Sequence, residues 1–250
     1  MINNKTIKKI SFNGIVFNNF VESDFKNFIK KKGLFLFPSG PGLSNLNKKK
    51  KYLKALKNAD FNFLDSGFFV ILLNYIKNIK VNKFSGYKFL KIYLKFLQKN
   101  KAIKIFCIDP DFNSSKINKN FFIKMGVKKS RINNYVAPLY NKNYLSDALL
   151  LNKIKEIKPN HILINLGGDT QEILGLYIKN KVNFKCNIFC IGAAIAFFTK
   201  KQAPINNFID NNYLGWLMRI IFNPIIFLPR YLKSFNLFLL ILRNNIKILK

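Results

Sequence analysis

Apolar residues in this chain fall into short continuous runs, and between the runs they recur at helical spacing. "GLFLFPSG" (33–40), "FNFL" (61–64), "IKIFCI" (103–108) and "HILINL" (161–166) read as strands bounded by turn residues. "GIVFNNF" (14–20) reads the same way, and "FCIGAAIAFF" (189–198) as a strand running into a turn. Between the first two strands, Val21, Phe25, Phe28 and Ile29 repeat at the spacing of one helix face, predicting a helix over 21–32. Further helices are predicted over 43–59 with Ser44 as N-cap, from about Phe68, and over 87–100, 114–126, 145–158 and 170–180. Strands alternating with such helices predict βαβ units, hence an α/β fold with a mostly parallel sheet.

The rhythm changes near Asn206. "YLGWLMRIIFNPIIFLPRYLKSFNLFLLILRNNIKILK" is apolar, interrupted by Pro224 and Pro229, and studded with Arg219, Arg230, Lys233, Arg243 and Lys247. Two or three helices are expected there, either packed on the domain or lying in a membrane interface. Basic groups would then meet lipid phosphates, and Tyr213, Trp216 and Tyr231 would sit at the headgroups. The expected division is therefore a domain over 1–205 and a helical, basic and apolar appendage over 206–250. No uninterrupted run of about 18 apolar residues predicts a spanning helix, and "MINNKTIKKI" lacks the apolar core of a signal peptide.

Composition sharpens this only in part. The chain of 250 residues has 43 Lys+Arg against 11 Asp+Glu, a net charge of +32. Such a charge attracts polyanions, whether nucleic acid or an anionic membrane. It also reflects a background crowded with Lys, Asn, Ile and Phe, so the charge alone identifies no partner. Arginine is more telling: Arg131, Arg219, Arg230 and Arg243 are the only four, and three lie in the last 32 residues. An always-charged fork suits phosphate. Cys107, Cys186 and Cys190 have no disulfide or zinc spacing, and His161 is the only histidine. No Ser-His-Asp, Cys-His, D-x-D or H-x3-H arrangement is present, so no metal ligand set is predicted.

Ligands of open α/β sheets bind at the carboxyl ends of strands, which directs attention to three loops. "FPSGPGLSN" (37–45) lets a backbone approach a ligand closely around Ser39 and Gly40. In "LDSGF", Asp65 sits at a strand end with Gly67 leaving space beside it. A carboxylate there suits either a general base or a cap on the next helix. In "NLGGDTQE" (165–172), Gly167 and Gly168 lead into a helix whose free N–H groups suit an oxygen-rich ligand, with Gln171 and Glu172 in its first turn.

These loops and the tail, in this order, resemble the WecG/TagA/CpsF family of glycosyltransferases from about Ile15 to Leu232. "ADFNFLDSG" (59–67) resembles the family's "AD", four strand residues and "DG". "LGGDTQE" is similar to "GLGAPKQE", and "CIGAAIAFFTKKQAP" (190–204) to "GVGAAFDFLAGTVKRAP". "YLGWLMRIIFNPIIFLPRYLK" resembles "GLEWLYRLLQEPRRLWRRYL", with Trp216, Arg219, Pro224, Arg230 and Tyr231 in place. Several family positions differ: "T-x-N" becomes Pro38-Ser39-Gly40, "KRAP" becomes Lys201-Gln202-Ala203-Pro204, and "GLEW" becomes Tyr213-Leu214-Gly215-Trp216.

The resemblance implies a Rossmann-like enzyme that inverts the anomeric carbon without a cofactor or bound metal. It implies transfer from a UDP-sugar, commonly of N-acetylmannosamine type, to a polyprenyl-diphosphate-linked sugar in surface-polysaccharide synthesis. The place implied is the cytoplasmic face of the plasma membrane, peripherally bound, with self-association a recurrent property of such enzymes. By the same resemblance Asp65 is the catalytic base. Ser39, Gly40, Gly67, Gly167, Gly168, Gln171, Glu172, Gly192, Lys201, Gln202, Arg219 and Arg230 are the expected substrate contacts. Two other classes stand against this reading: an inactive sugar-nucleotide-binding or scaffold protein, and a basic nucleic-acid binder. The second lacks any RNP-like or helix-turn-helix signature, so no nucleic-acid partner is expected.

Overall fold

The computed structural model describes residues 8–141 and 144–249. The chain opens with a hairpin, β1 (Lys9–Phe12) and β2 (Ile15–Asn18), turned by Asn13 and Gly14 at φ 51° and 73°. Both residues need positive φ in this tight turn, which is what an Asn-Gly pair supplies. After α1 (Phe25–Lys30) come β3 (Gly33–Leu36), α2 (Gly40–Leu43), α3 (Lys50–Lys57), β4 (Phe61–Phe63) and α4 (Gly67–Ile71). A π turn, Leu72–Ile76, extends α4. Then follow α5 (Gly86–Lys99), β5 (Ile105–Asp109), α6 (Phe112–Lys124), β6 (Ile132–Val136), α7 (Ala148–Ile157), β7 (His161–Ile164), α8 (Thr170–Lys181) and β8 (Asn187–Cys190). The chain finishes with α9 (Ala194–Phe198), α10 (Asn207–Asn211), α11 (Gly215–Phe222), α12 (Pro224–Ser234), α13 (Asn236–Arg243) and β9 (Lys247–Leu249).

The strands form one sheet in the order β6-β5-β7-β8-β3-β4-β2-β1-β9, parallel from β6 to β2 and antiparallel at β1 and β9. The α/β class with a mostly parallel sheet is what the alternation of runs predicted. Its central strands are buried on both faces, so period-2 alternation appears as two apolar layers. Leu34, Leu36, Ile162, Ile164, Ile188 and Cys190 belong to one layer. Phe35, Phe63, Leu163 and Phe189 belong to the other, with Phe37, Phe84 and Phe89 around them. Continuous apolar runs of this kind are the signature of sheets covered by helices on both sides.

Several elements differ from the sequence reading. The run over 14–20 ends at Asn18, and its partner β1 was not anticipated. The predicted helix over 43–59 is broken: Ser44 closes α2 and its hydroxyl donates to the Pro41 carbonyl, and a 3-10 turn precedes α3. The strand predicted over 189–198 stops at Cys190, where Gly192 at φ 54° redirects the chain into α9. β6 and β9 were missed because edge strands with a wet face carry polar residues such as Asn133, Asn134 and Lys247.

The C-terminal helices pack on this body. Phe227, Ser234, Leu237 and Ile241 point inward and are buried. Phe222, Ile225 (87% exposed), Ile226 and Leu232 face outward. The helical run Pro224–Arg243 is long and apolar enough to cross a membrane by length and composition, which the sequence reading did not foresee. Both of its ends are nevertheless tied to the α/β body. Arg219 and Tyr231 line the pocket described below, and β9 adds to the sheet beside β1, with Ser11 opposite Lys247. The run therefore lies along the body, exposing one apolar face.

Candidate active site

At the carboxyl ends of β3, β4 and β8 lies a cavity of about 420 Å³. The chain steps from β3 to its neighbour β4, crosses the sheet to β5, and works back through β7 to β8, the other neighbour of β3. Outside the carboxyl ends of its strands is where an open parallel sheet binds ligands. Ser39 and Gly40 enter from the loop after β3, Asp65 to Phe68 from the loop after β4, and Ile191 and Ala194 from the loop after β8. Lys83, Ser85 and Gly86 come from the approach to α5. The tail supplies the remaining wall with Asp210, Tyr213, Trp216, Arg219, Tyr231 and Phe235.

Asp65 is only partly exposed, and its open surface faces this cavity. Its Oδ1 accepts a hydrogen bond from the Gly86 backbone N–H at 2.8 Å. Burial raises the carboxyl pKa to about 6; the Gly86 bond, Lys83 and Arg219 oppose that rise, and Asp210 adds to it. Capping the next helix falls to the neighbour instead, since Ser66 Oγ accepts from Phe69 N at 3.2 Å. Thus Asp65 is free of the cap role that the sequence left open. Gly67 is required by close approach: a Cβ there would stand 2.9 Å from the Tyr213 Cβ. The tail backbone crosses directly over the loop carrying Asp65.

Asp210 fastens that crossing. Its Oδ1 and its carbonyl each accept from Lys83 Nζ at 2.6 Å, and its Oδ2 accepts from Ser85 Oγ at 2.9 Å. Both charged side chains are only 11% exposed. Removing one partner of a buried pair strands the other charge, typically at a cost of 3–5 kcal/mol. Asp210→Ala is expected to lower stability by ~3 kcal/mol in chemical denaturation, with part recovered in Lys83→Met/Asp210→Leu. A loss below ~1 kcal/mol, the range of an exposed pair, would show that the clamp is weak.

Arg219 projects from α11 into the same cavity. Its guanidinium carbon lies 4.8 Å from the Phe197 ring centroid, and Nη1 donates to Tyr231 OH at 3.4 Å. Its Nε is buried without a partner. No carboxylate pairs with it among the described residues, so the fork is held by aromatic faces and keeps donors for an anion.

The other expected contacts lie elsewhere. Gln171 sits behind the β8 loop: its Oε1 accepts from Gly192 N at 2.7 Å, and its Nε2 donates to Glu172 Oε1 at 3.0 Å. Glu172 is buried, which raises its pKa to about 7. These three residues support the wall and do not line the cavity. Gly168 brings the β7 loop to the β3 loop, its Cβ position being 3.9 Å from Ser39 Oγ, with Gly167 beside it. Lys201 reaches away to Ser114 Oγ at 3.0 Å, and Gln202 follows it. Arg230 is exposed on α12 over Phe227. Of the expected set, the structure brings Ser39, Gly40, Asp65, Gly67 and Arg219 together.

Sequence reasoning missed Lys83, Ser85 and Asp210, and it expected Tyr213, Trp216 and Tyr231 at lipid headgroups, whereas all three line the cavity. The signals available were a Ser85-Gly86 helix start and one of only eleven acidic residues lying in a basic tail. His161 is a core residue, its Nδ1 2.8 Å from Tyr93 OH, and burial lowers its pKa to about 3. All three cysteines are free and buried. No group of three or more His, Cys, Asp or Glu suited to a metal ion occurs among the described residues.

Residues 5–250 match the model of the glycosyl transferase WecG/TagA/CpsF family. The chain belongs to that family. It is a glycosyltransferase, and the match covers the α/β body and the tail alike, in accord with the resemblance read from its loops. No protein with a curated description matches the chain. The family places this glycosyltransferase in polysaccharide synthesis. The cavity at the ends of β3, β4 and β8 is its candidate active site.

Proposed function

We propose that the protein is an inverting glycosyltransferase moving a hexose, of N-acetylmannosamine type or another, from a UDP-sugar to a polyprenyl-diphosphate-linked sugar. The observation that carries the reading is the pairing, in one cavity, of a carboxylate with a pKa near 6 and an arginine fork without a carboxylate partner. Above pH 6 the Asp65 carboxylate is mostly ionised and takes the proton of the acceptor hydroxyl as that oxygen attacks the anomeric carbon. The bond to the UDP oxygen breaks on the opposite face, which inverts the centre. Negative charge growing on the diphosphate meets the Arg219 guanidinium, in an apolar cavity where such charge is strongly felt. No step invokes a cofactor.

The acceptor is membrane-borne in this reading, and the exposed apolar face of α11 to α13 is where the protein meets an anionic membrane, on its cytoplasmic side. Arg230, exposed on α12 over Phe227, is available beside that face for lipid phosphate. The tail also completes the pocket and the sheet edge, so truncation would confuse two roles. Phe222→Ser/Ile225→Ser leaves the fold intact and is expected to reduce co-sedimentation with anionic vesicles. Unchanged sedimentation would remove the membrane role. The reaction itself is tested by UDP release over a panel of UDP-sugars with prenyl-diphosphate sugars as acceptors; no acceptor-dependent release from any pair would sink the reading.

A further inference from the structure

One hydroxyl connects Asp210 to the carboxylate of Asp65. Ser85 Oγ donates to Asp210 Oδ2 at 2.9 Å and accepts from Lys88 N at 3.1 Å, so its hydrogen and a lone pair are both committed. The next residue, Gly86, donates its backbone N–H to Asp65 Oδ1 at 2.8 Å. We propose that Ser85 and Asp210 are positioning residues for the transfer reaction: together they aim the first N–H of α5 at Asp65 Oδ1 and leave Oδ2 for the reacting hydroxyl. The inference rests on Asp65 as the base and deepens that reading by naming what holds it.

The start of α5 explains why the aim matters. Gly86 is its first residue, and the N–H groups of a first helical turn have no partner within the helix. That of Gly86 goes to Asp65, and that of Lys88 goes to Ser85. A hydroxyl carries a single hydrogen. Because Asp210 takes it, the Ser85 oxygen meets the helix with a lone pair, as a cap requires. Without an acceptor at position 210 the hydroxyl is free to turn. Just before it, Phe84 N donates to the Leu64 carbonyl at 3.0 Å, which sets the distance between the two segments. On the other side, a Cβ on Gly86 would stand 3.2 Å from the Ile191 carbonyl oxygen, so the β8 loop packs close against the helix start. Distance is thus fixed by backbone; the direction of the Gly86 N–H is left to Ser85, and hydrogen bonds weaken steeply with misalignment.

Orientation is separable from charge at this site. Asp65 faces Lys83 from the segment before α5, Arg219 from α11 and Asp210 from α10. Tyr52 of α3, Tyr87 of α5 and Tyr213 of the crossing tail are pushed upward by burial and stay neutral where Asp65 titrates, and Tyr231 enters from α12. Burial raises the Asp65 carboxyl, and the Gly86 N–H opposes that rise more than either cation does. Ser85 has no charge, so replacing it leaves every one of these charges in place and disturbs the aim of that N–H alone. Asp210, as a like charge, works against ionisation of Asp65. Its place beside the base is therefore explained by what it holds, Lys83 and Ser85, and not by its field.

The test reads Asp65 itself in the full chain. With isotopically labelled aspartate, the Asp65 carboxyl signal is identified by its loss in Asp65→Asn and then titrated. In Ser85→Ala its midpoint should move up from about 6 by roughly one pH unit, the worth of a hydrogen bond to a charged group. The pH at which kcat/KM rises should move with it, and kcat should fall roughly 10–10²-fold through misplacement of the base. Ser85→Thr keeps the hydroxyl and should restore both midpoints; a Thr variant that behaves like Ala would overturn the proposal. A side chain that only capped α5 would lower the melting temperature and leave the midpoints where they were. An unmoved carboxyl midpoint in Ser85→Ala therefore overturns the proposal whatever the kinetics. Asp210→Asn should lower kcat in the otherwise native chain and far less in Ser85→Ala, because the two residues act through one bond; equal losses in both backgrounds would remove Asp210 from it. If the midpoint moves while Ser85→Ala and Asp65→Asn both turn over like the wild type, the positioning stands and the reading of Asp65 as base fails.

Discussion

Asp65→Asn is expected to lower kcat by ~10²–10⁴-fold, the usual contribution of a positioned general base, without weakening UDP binding. The substitution keeps the size of the side chain and an oxygen for the Gly86 N–H, so the β4 loop should hold its shape. In the wild type, kcat/KM should rise with pH through about 6 and level off, because the base works only when ionised. The residual activity of the variant should lack that rise. Stability supplies an independent check. A carboxyl whose pKa is higher folded than unfolded binds more protons in the native state, so its contribution is full at low pH and is lost as pH rises from the unfolded value through about 6. Replacing it with Asn removes that loss, so the variant should melt above the wild type at pH 8 and converge with it near pH 4. Glu172, raised to about 7, adds a similar decline in both proteins and cancels in the comparison. Wild-type-like turnover in the variant would remove Asp65 from the chemistry.

Arg219→Ala carries the second large effect, a ~10²–10³-fold fall in kcat, comparable with losing one donor to a developing anion. Arg219→Lys should recover little. The guanidinium lies over Phe197 and beside Tyr231, and it presents a planar fork that an ammonium cannot reproduce. UDP affinity should fall along with kcat, because the leaving group and the product diphosphate meet the same cation. If Lys restored full activity, a simple point charge would suffice and the fork would have no special role. If Ala changed neither kcat nor UDP affinity, the diphosphate would have to sit elsewhere in the cavity.

The two central residues were legible for different reasons. Asp65 stood out because a carboxylate at the end of an apolar run is a local event: strand, turn and helix start lie within a few residues. Arg219 stood out because arginine is rare here and the tail is unlike the rest of the chain. Neither signal reveals what each residue touches. Gln171 and Glu172 show the opposite case, where a correctly located helix start misled about contact. Their side chains turn toward Gly192 and the interior, because the β8 loop needs an acceptor for that backbone N–H. Lys83 and Asp210 were invisible because their pairing spans 127 positions, and ordinary residues acquire a role only when the tail folds back.

The sequence by itself determined the α/β class, the order of most strands and helices, the family, the Asp65 loop and a distinct basic, apolar tail. Each of these is written in short-range pattern: alternation of runs, helical spacing, turn residues and local motifs. Tertiary structure alone decided where the tail goes. It clamps Asp210 to Lys83, lays Tyr213 across Gly67, carries Arg219 to the cavity of Asp65 and returns β9 to the sheet edge beside β1. Those contacts join residues far apart along the chain, and the burial of Leu237 and Ile241 that holds them is a property of the closed fold, not of any local stretch.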